Sequence, residues 1–419
     1  MYKLLLLFVL SFMCIKLYGQ AENNKLSLND ALEIGLKQNP ELLQSAENIN
    51  AAKGRFWSGI SLPQPELELT YEYAPTNSSL NNYGERTFAI SQSFEFPTNY
   101  FLKGSKFTKE EESAYQQFLL KEKQLVAEIR TAYNKVLAKQ KLLMYAEEYL
   151  VISEDFFKKA QIRFNVGEGT NIEQLTARVQ LSEAKNKLGI TKNELAIAFS
   201  ELNYSLGFGK NNYESNFILT DSLVYIDHRV TVEKLQELLE EINPQIKIAE
   251  IETGISSVEK TLAWSSLLPN FSVAYFKQSR DGDNGYYGAS FAVSVPLWFL
   301  LDQSGIIQEA TANALISEAI LIQTKNEMNL RLKNAHTDYN NNQQQVVTYI
   351  EDILPQAEEA YRSADKSYDA GELSYIEYMQ VKQLLINARE NYITALFNYN
   401  QTIIVLEEIV GKNLNELEN

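Results

Sequence analysis

The sequence Asn165-Val166-Gly167-Glu168-Gly169-Thr170-Asn171 closes a run of 62 residues, from 105 to 166, that contains neither glycine nor proline. The run is rich in Glu, Lys, Leu, Ala and Gln, which favour helix, and one helix of that length reaches roughly 90 Å. A second helix is predicted from about 172 to 206, with leucines spaced by seven at Leu181, Leu188, Leu195 and Leu202. Such spacing keeps one seam against a neighbouring helix, so a coiled-coil pair is predicted around this turn.

Much of this pattern returns 204 residues later. Asn39-Pro40 recurs as Asn243-Pro244, Gly167-Glu168 as Gly371-Glu372, and Gly207 as Gly411. A period near 200 residues is too long for a solenoid or propeller unit, so a whole assembly of helices and strands is predicted to be duplicated. In the second copy Pro355 lies inside the long helix and is predicted to kink or break it.

The repeat predicts the domain organisation. Residues 1–19 have the pattern of a secretory signal peptide, with Lys3 before an apolar run and the small Gly19 before the cleavage point. Residues 20–210 and 232–411 are the two structural repeats, 211–231 the connector and 412–419 a C-terminal tail. Each repeat is predicted to contain an opening helix (around 30–58 and 232–267), a hairpin (about 66–97 and 270–298) and a helical pair (about 104–206 and 305–410).

Alternating apolar and polar residues, typical of β-strands, precede each helical pair. Residues 66–73 read Glu-Leu-Glu-Leu-Thr-Tyr-Glu-Tyr, and residues 87–96, 270–275 and 290–297 alternate in the same way. Polar loops at 75–86 and 279–288 join them, which predicts two β-hairpins. The half-buried sheet of a soluble protein would show the same alternation. Strand length, the export signal and aromatic residues near strand ends favour a membrane sheet; these aromatics are Tyr73, Phe88, Phe96, Tyr275 and Phe291.

Four strands are too few for a membrane barrel, because the smallest known barrels use about 8. An open sheet edge in lipid would leave backbone N–H and C=O groups without partners. If the hairpins lie in a membrane, they therefore predict a homo-oligomer that pools its strands in contact with lipid. Three copies give a barrel with a wet lumen, which fits the small and acidic inward faces better than the filled barrel of two copies.

The composition excludes several classes of function. The formal net charge of −16 argues against nucleic-acid binding, because phosphates require a basic surface. Cys14 is the sole cysteine and lies in the signal region, so no disulfide or thiolate metal site is predicted for the mature chain. His228 and His336 are far apart, and no nucleophile motif, phosphate loop or zinc spacing is present. Neither an enzyme activity nor a cofactor is predicted.

The chain resembles the TolC-like family of outer membrane efflux proteins over nearly its whole mature length. The motifs that carry the resemblance are Asn-Pro at the start of each half, Arg163-Phe164-Asn165-Val166-Gly167 with Ile172-Glu173, and Tyr368-Asp369-Ala370-Gly371 with Ile376-Glu377. The resemblance implies a mainly α fold with membrane β: a homotrimer with a 12-stranded outer-membrane β-barrel, four strands per chain, continued by a long periplasmic α-helical coiled-coil barrel.

The same resemblance implies a function and its partners. Family members are outer-membrane exit ducts of tripartite efflux systems, which pass small molecules or ions to the outside. They bind a periplasmic membrane-fusion adaptor protein and, through it, an inner-membrane transporter of the RND or ABC type. The compact length and short connector of this chain are similar to those of heavy-metal efflux members.

Candidate site residues follow from the family gate, which uses a tyrosine, an arginine and acidic residues beside the interhelical turns. By motif position Tyr368 matches the tyrosine, and Glu377 and Glu173 match acidic positions. Leu373 stands where an arginine can occur and Gln380 where a second acidic residue can. A hydrophobic contact from Leu373 is therefore expected in place of a salt-bridge latch.

Two interpretations of Glu377 and Glu173 are open. In a trimer Glu377 would form a ring of three carboxylates that attracts cations in a narrow pore. As ordinary first-turn glutamates, both residues would be explained by the helix dipole alone. The turns are also the predicted adaptor contacts, through Gly167, Glu168, Gly169, Gly371 and Glu372.

Two other functions fit part of the pattern. The outer-membrane component of a type I protein secretion system would show the same features and differ only in its partners. A structural coiled-coil protein of the cell surface would explain the long helices. It would not explain aromatic-edged hairpins placed identically in both halves.

Overall fold

Helices form most of the chain, as its long runs without glycine or proline predict. The computed structural model describes residues 25–76, 79, 81–209, 217–228 and 231–416, so the signal peptide predicted for residues 1–19 lies outside the described residues. The helices are α1 (Leu28–Gln38), α2 (Pro40–Ile60), α3 (Pro97–Asn165), α4 (Asn171–Ser205), α5 (Val232–Ile242), α6 (Pro244–Ser265), α7 (Asp302–Thr348), α8 (Leu354–Asp369) and α9 (Tyr375–Val410). The strands are β1 (Lys25–Leu26), β2 (Glu66–Glu72), β3 (Glu85–Phe94), β4 (Ile218–Leu219), β5 (Asn270–Arg280) and β6 (Asp283–Ser294). None of the described helices is both long and apolar enough to cross a membrane.

The element order of the first half returns in the second. Two short helices, a hairpin, a long helix and a return helix occupy residues 28–205 and again residues 232–410, where the long helix is divided into α7 and α8. The longest helix, α3, has 69 residues. It begins earlier than predicted, because Pro97 is tolerated in a first turn and Gly104 alone does not end a helix.

The opening helix of each half is divided at its Asn-Pro pair. Pro40 and Pro244 are the first residues of α2 and α6, where a missing backbone N–H leaves no helical partner unsatisfied. The preceding asparagine caps the new helix, and in the second copy Asn243 Oδ1 accepts from the Ile246 N–H at 3.1 Å. The prediction of one continuous helix in each half (around 30–58 and 232–267) is therefore wrong at this pair.

The chain folds into two compact units. Among the described residues, the sheet unit contains 44–76, 79, 81–121 and 236–330. The helical unit contains 25–43, 122–209, 217–228, 231–235 and 331–416.

The sheet unit holds an antiparallel sheet with the strand order β2-β3-β5-β6. Its register places the apolar positions of all four strands on one face. Pairs on this apolar face include Leu69–Phe88, Ile90–Tyr275 and Val273–Phe291, and all six side chains are exposed in the single chain. The opposite, polar face carries small and acidic residues, among them Glu68, Ala89, Ser91, Ala274 and Ser290.

The second hairpin is tighter than the predicted loop over 279–288. Strand β5 continues to Arg280 and β6 starts at Asp283, so only two residues lie between them. Asp281 and Gly282 both have positive φ angles, 53° and 87°. Two such residues form the hairpin turn whose twist matches that of the strands, and Asp-Gly is a preferred sequence for it.

Buried tyrosines hold the connector between the halves onto the helical unit. Strand β1 pairs in parallel with β4, and the Tyr133 hydroxyl of α3 donates to the carbonyl of Leu26 at 2.8 Å. Further along the connector, Tyr339 of α7 donates to the carbonyl of His228, and Tyr399 of α9 to that of Ile226, each at 2.6 Å. The described connector residues 217–228 are therefore part of the folded unit.

The long helix of the second half widens just before Pro355. A single π-helical turn, Tyr349–Ile353, separates α7 from α8, and the Leu354 N–H donates to the carbonyl of Tyr349, five residues back. Proline cannot donate and its ring collides with the carbonyl four residues earlier in a regular α-helix. The interruption expected at Pro355 therefore takes the form of a π turn, after which the helix continues.

Gly207, which follows α4, tolerates no side chain. Its φ is 80°, and a Cβ there would lie 2.9 Å from Asn39 Cα and from Gln38 O. We expect Gly207→Ala to destabilise the helical unit by about 2–5 kcal/mol, from left-handed strain plus a clash with backbone atoms. Thermal denaturation followed by circular dichroism measures the loss.

Gly371→Ala is the matched control for this substitution. Gly371 has a similar φ of 77°, but no described atom lies within 4 Å of a Cβ placed on it. Only the left-handed strain of about 1–2 kcal/mol is expected there. Equal melting temperatures for the two variants would contradict the role assigned to the backbone contact at Gly207.

Candidate functional site at the interhelical turns

Two turns reverse the chain between the members of each helical pair. The first turn, residues 166–170, joins α3 to α4, and the second turn, residues 370–374, joins α8 to α9. Gly167 and Gly371 have φ angles of 81° and 77°, the left-handed conformation with which helices commonly end at glycine. Glycine is therefore required at the same place in both turns.

The hydrogen bonds that close the two turns are equivalent. At 2.9 Å, the Glu168 N–H donates to the carbonyl of Arg163 and the Glu372 N–H to that of Ser367. A hydroxyl then caps each return helix: Thr170 on α4 and Ser374 on α9 each accept from the N–H of the glutamate three residues later. The two backbones share one design, so functional differences must come from side chains.

The glutamate after the first turn is buried and paired. Glu173 retains 9% of its exposure, and its Oε1 lies 3.3 Å from Arg163 Nη1 on the neighbouring helix. The guanidinium compensates the carboxylate where water does not reach it. Glu173 therefore offers no unpaired charge to a pore. A carboxylate ring of the kind considered for Glu377 would need such a charge.

The glutamate after the second turn is exposed, because Ser367 occupies the place that Arg163 has in the first copy. Without a guanidinium beside it, Glu377 turns back onto its own cap and accepts from Ser374 N at 3.0 Å and Ser374 Oγ at 2.7 Å. These hydrogen bonds from the Ser374 side chain and backbone hold the pKa of Glu377 below its usual range. The carboxylate is thus ionised and accessible to solvent.

The other predicted site residues differ in exposure. Tyr368 and Leu373 are half-buried and Gln380 is exposed. Among the predicted adaptor contacts, Gly169 is half-buried and the remaining four are exposed: Gly167, Glu168, Gly371 and Glu372. The five turn residues lie in two separate turns, and the gate candidates lie mainly around the second.

An aromatic cluster beside the second turn was missed at the level of sequence, apart from Tyr368. The Tyr368 ring stacks on Tyr378 at a centroid distance of 4.8 Å and lies 5.5 Å from Tyr375. Tyr361 extends the cluster, 6.2 Å from Tyr378. The signal was present as three tyrosines close to the turn in sequence, two before it at 361 and 368 and one after it at 375.

Tyr375 links the two helical pairs. Its hydroxyl donates to Asp155 Oδ2 on α3 at 2.7 Å, and Lys159 Nζ lies 2.9 Å from the same carboxylate oxygen. Burial and the adjacent carboxylate raise the pKa of Tyr375. Burial alone would raise the pKa of Asp155, but hydrogen bonds from Lys159 and Tyr375 outweigh it and lower that pKa. The result is a charge-assisted bond between α3 and α9.

Tyr378 makes a comparable bond inside one helical pair. Its hydroxyl donates to Asp365 Oδ1 on α8 at 3.0 Å. This bond joins the two helices that the second turn already connects. Of the two tyrosine–aspartate contacts, only the one made by Tyr375 would break if the helical pairs separated.

The side chains of the site are polar and aromatic. Among the described residues, no group of three or more His, Cys, Asp or Glu side chains is arranged to hold a metal ion. Ionised carboxylates, tyrosine hydroxyls and stacked rings can attract cations and hold helices together.

The chain is similar in sequence to known proteins. The sequence model of the family described as "Outer membrane efflux protein" matches the chain twice, over residues 31–208 and 235–412. The cobalt-zinc-cadmium resistance protein CzcC of Cupriavidus metallidurans is 20% identical over 241 residues, which cover 58% of this chain and 55% of that protein. The chain thus matches about half the length of this curated relative.

Two solved structures share the fold. A membrane protein from Pseudomonas aeruginosa superposes with a TM-score of 0.79 at 16% identity, covering 92% of this chain and 90% of that chain. The outer membrane protein VceC from Vibrio cholerae gives a TM-score of 0.76 at 16% identity, covering 92% and 96%.

Proposed function

The chain belongs to the family of outer membrane efflux proteins, and on that premise we propose that three copies form the exit duct of a tripartite efflux system. Each copy contributes four strands to a barrel of twelve (three times four) and two helical pairs to a periplasmic helical barrel. The observation that carries the proposal is the four-stranded sheet with one exposed apolar face and two edge strands, β2 and β6, that have a neighbour on one side only among the described residues.

Closure of the barrel follows from the backbone chemistry of the edges. Lipid offers no hydrogen bonds, so each unpaired N–H or C=O at an edge costs several kcal/mol. Pairing β6 of one copy with β2 of the next satisfies both edges of every copy. In this arrangement residues 20–210 and 232–411 act as two repeats of one design, and the trimer has six similar units around the pore.

The polar face of the sheet lines the lumen in this assembly. Strand β2 places Glu66, Glu68 and Glu72 on that face, and the neighbouring strands add alanine and serine. A wide barrel with small and acidic inward side chains holds water. Such a lumen admits cations in preference to anions.

The second turn is the proposed periplasmic gate. Three copies of Glu377 form a ring of exposed carboxylates, with Gln380 one helical turn further on. Tyr368 and Leu373 close the constriction by packing, in the place of a salt-bridge latch. The first turn takes a fixed role, because Arg163 neutralises Glu173 there.

The two turns, exposed except at the half-buried Gly169 and Leu373, are the proposed contact with a periplasmic membrane-fusion adaptor. Gly167, Glu168, Gly169, Gly371 and Glu372 present a similar surface in each copy, so a trimer offers six such contacts. The adaptor connects the duct to an inner-membrane transporter of the RND or ABC type.

Divalent metal cations are the proposed cargo. CzcC is named for resistance to cobalt, zinc and cadmium, and we extend that class of cargo to this chain. The balance of 54 acidic against 38 basic residues supports it, because a negatively charged duct concentrates cations. Cells lacking the protein are expected to retain more cobalt, zinc or cadmium, and unchanged metal content would contradict this cargo.

Membrane assembly tests the duct itself. The full chain is expected in the outer-membrane fraction as a heat-modifiable, detergent-resistant oligomer with three times the mass of one chain. It should form ion channels after reconstitution into planar bilayers. Release by a salt wash would contradict the proposal, because a closed barrel cannot be removed by screening charges.

The carboxylate ring makes a separate prediction. Glu377→Gln is expected to reduce the cation preference of the reconstituted channel, because three exposed negative charges leave the constriction. The reversal potential in a salt gradient measures the preference. Since hydrogen bonds from Ser374 lower the pKa of Glu377, its contribution to the preference should be lost at a lower pH than that of a glutamate without these bonds.

The matched control removes a neutral pair from the other turn. In the double variant Arg163→Gln with Glu173→Gln, the two charges 3.3 Å apart disappear together. The reversal potential is expected to stay unchanged. If Glu377→Gln also leaves it unchanged, Glu377 does not face the pore.

A further inference from the structure

An unusually apolar segment follows the last strand of the sheet. Residues 295–301 read Val-Pro-Leu-Trp-Phe-Leu-Leu, seven apolar residues in succession. Leu297, Trp298, Leu300 and Leu301 are each about three-quarters exposed. Long exposed apolar runs are rare in proteins unless they have a binding function, so this segment requires a partner.

The segment is folded and presents its side chains in a defined way. The Leu301 and Asp302 N–H groups both donate to the carbonyl of Trp298, at 3.0 and 3.1 Å, and the Ser304 N–H donates to that of Phe299 at 3.1 Å. These bonds lead directly into α7. Because the turn satisfies these backbone N–H groups itself, its apolar side chains can enter an apolar medium at low cost.

The helix before the hairpin adds to the same surface. Trp264, in the last turn of α6, and Leu267, just beyond it, line one open cleft together with Phe299 and Leu300. Trp264 is 54% and Trp298 77% exposed. We call Trp264, Leu267 and residues 295–301 the apolar belt.

The apolar belt continues the apolar face of the sheet at one end. Asn270 at the start of β5 pairs with Ser294 at the end of β6. The end of α6 and the start of the apolar segment therefore adjoin the same end of the sheet. A row of rings crosses the sheet nearby, with centroids of Phe96 and Phe271 6.1 Å apart and those of Phe271 and Phe291 6.0 Å apart. The belt is therefore continuous with the face proposed to contact lipid.

The length of β6 indicates why the belt is needed. A tilted strand crosses a bilayer in roughly 9–11 residues. The apolar positions of β6, from Tyr287 to Val293, cover fewer residues than a strand needs to cross a bilayer. The alternation covers the required length when it continues through Val295 and Leu297. Tyrosines mark the other end of the band at Tyr73, Tyr83 and Tyr287. Aromatic rings at both limits of an apolar band are typical of membrane boundaries.

We propose that the apolar belt inserts into the periplasmic leaflet of the outer membrane and binds the acyl and glycerol region of its phospholipids. The inference rests on the proposed function, which places the sheet in that membrane. Insertion is apolar and independent of headgroup charge, because residues 281–324 contain no lysine or arginine. The corresponding stretch of the first copy, Glu95-Phe96-Pro97-Thr98-Asn99-Tyr100-Phe101, interrupts its apolar residues with a charged and two polar side chains, so the uninterrupted apolar run occurs once per chain.

Depth-dependent fluorescence quenching tests the proposal. The chain has three tryptophans, Trp57, Trp264 and Trp298. The variant Trp57→Phe with Trp264→Phe leaves Trp298 as the sole reporter, and Trp57→Phe with Trp298→Phe leaves Trp264. Each full-length variant is reconstituted into phosphatidylcholine vesicles that carry bromine either at shallow acyl carbons (six and seven) or at deep ones (eleven and twelve).

Both reporters are expected to show blue-shifted emission and a loss of intensity that is larger with shallow than with deep bromine. High salt or added anionic lipid should not change the loss. A reference variant, in which all three tryptophans become Phe and Phe291 becomes Trp, reports on the sheet itself and should also be quenched.

Two outcomes would overturn the inference, and the reference variant separates them. Quenching of Phe291→Trp without quenching of Trp298 and Trp264 would mean that a neighbouring copy covers the belt, while the membrane sheet stands. Absence of quenching in all variants would overturn the membrane position of the sheet and the proposed function with it.

Discussion

Replacing Tyr375 by phenylalanine is expected to shift the channel toward its open state by roughly 10- to 100-fold per subunit. The substitution keeps the ring, whose contacts with Tyr368 remain, and removes only the hydroxyl that bonds Asp155 at 2.7 Å. A hydrogen bond to a charged group contributes about 1.5–3 kcal/mol. If that bond exists only while α3 and α9 are together, its loss favours separation by the full amount. Single-channel recording in planar bilayers measures the open probability.

Tyr378→Phe is the matched control for the gate. It also deletes a tyrosine–aspartate bond, of 3.0 Å to Asp365, from the same aromatic cluster. That bond lies within one helical pair and is retained when the pairs separate. The open probability of this variant should stay close to that of the unaltered channel. Equal opening by both variants would show that loosening the cluster, and not the link between pairs, controls the gate.

Introducing arginine at Phe291 is expected to abolish assembly in the outer membrane. Phe291 lies on the apolar face of β6 and is 66% exposed in the single chain. An arginine facing lipid costs about 2–4 kcal/mol near the bilayer centre and less toward its boundaries. A trimer carries the substitution three times, so the penalty approaches the whole stability of an ordinary domain, about 5–15 kcal/mol. The yield of heat-modifiable trimer in the outer-membrane fraction measures assembly.

Ser290→Arg is the control, one residue away on the other face. Ser290 pairs with Ala274 on the polar face, which the proposal assigns to the lumen. An arginine there remains in water, so trimer yield should be preserved and the cation preference of the channel reduced. Equal loss of trimer in both variants would mean that the two faces of β6 do not differ in environment.

The fold was predictable where the pattern of single residues determines it. Alternation such as Leu67–Leu69–Tyr71 identified the strands, and the long stretches without glycine or proline identified the long helices. Each Asn-Pro pair was interpreted only as a sign of the repeat. The missing N–H of Pro40 and the side-chain amide of Asn39 also determine a helix boundary, which was not predicted from the sequence. The two-residue turn at Asp281-Gly282 was hidden by its polar surroundings, which have the composition of a longer loop.

The candidate site was less accessible, because its properties depend on contacts between distant segments. Glu173 and Glu377 occupy equivalent places in the two repeats and cannot be told apart by motif position. Their difference arises from Arg163 in one copy and Ser367 in the other, ten residues before each glutamate. The bond from Tyr375 to Asp155 joins residues 220 positions apart, a distance over which no local spacing rule applies.

The π turn before Pro355 changes the phase of the buried seam. Buried positions before it repeat by seven at Leu332, Tyr339 and Val346, and after it at Ala357 and Ala364, but the step across the turn is eleven residues. On α3 the series Ala146, Ser153 and Ala160 continues by seven without a break. A regular period of seven winds helices into a left-handed supercoil, whereas an added four residues locally unwinds it. The two long helices of one chain therefore differ in local superhelical twist, and the helical pair that ends at the second turn is the less tightly wound of the two.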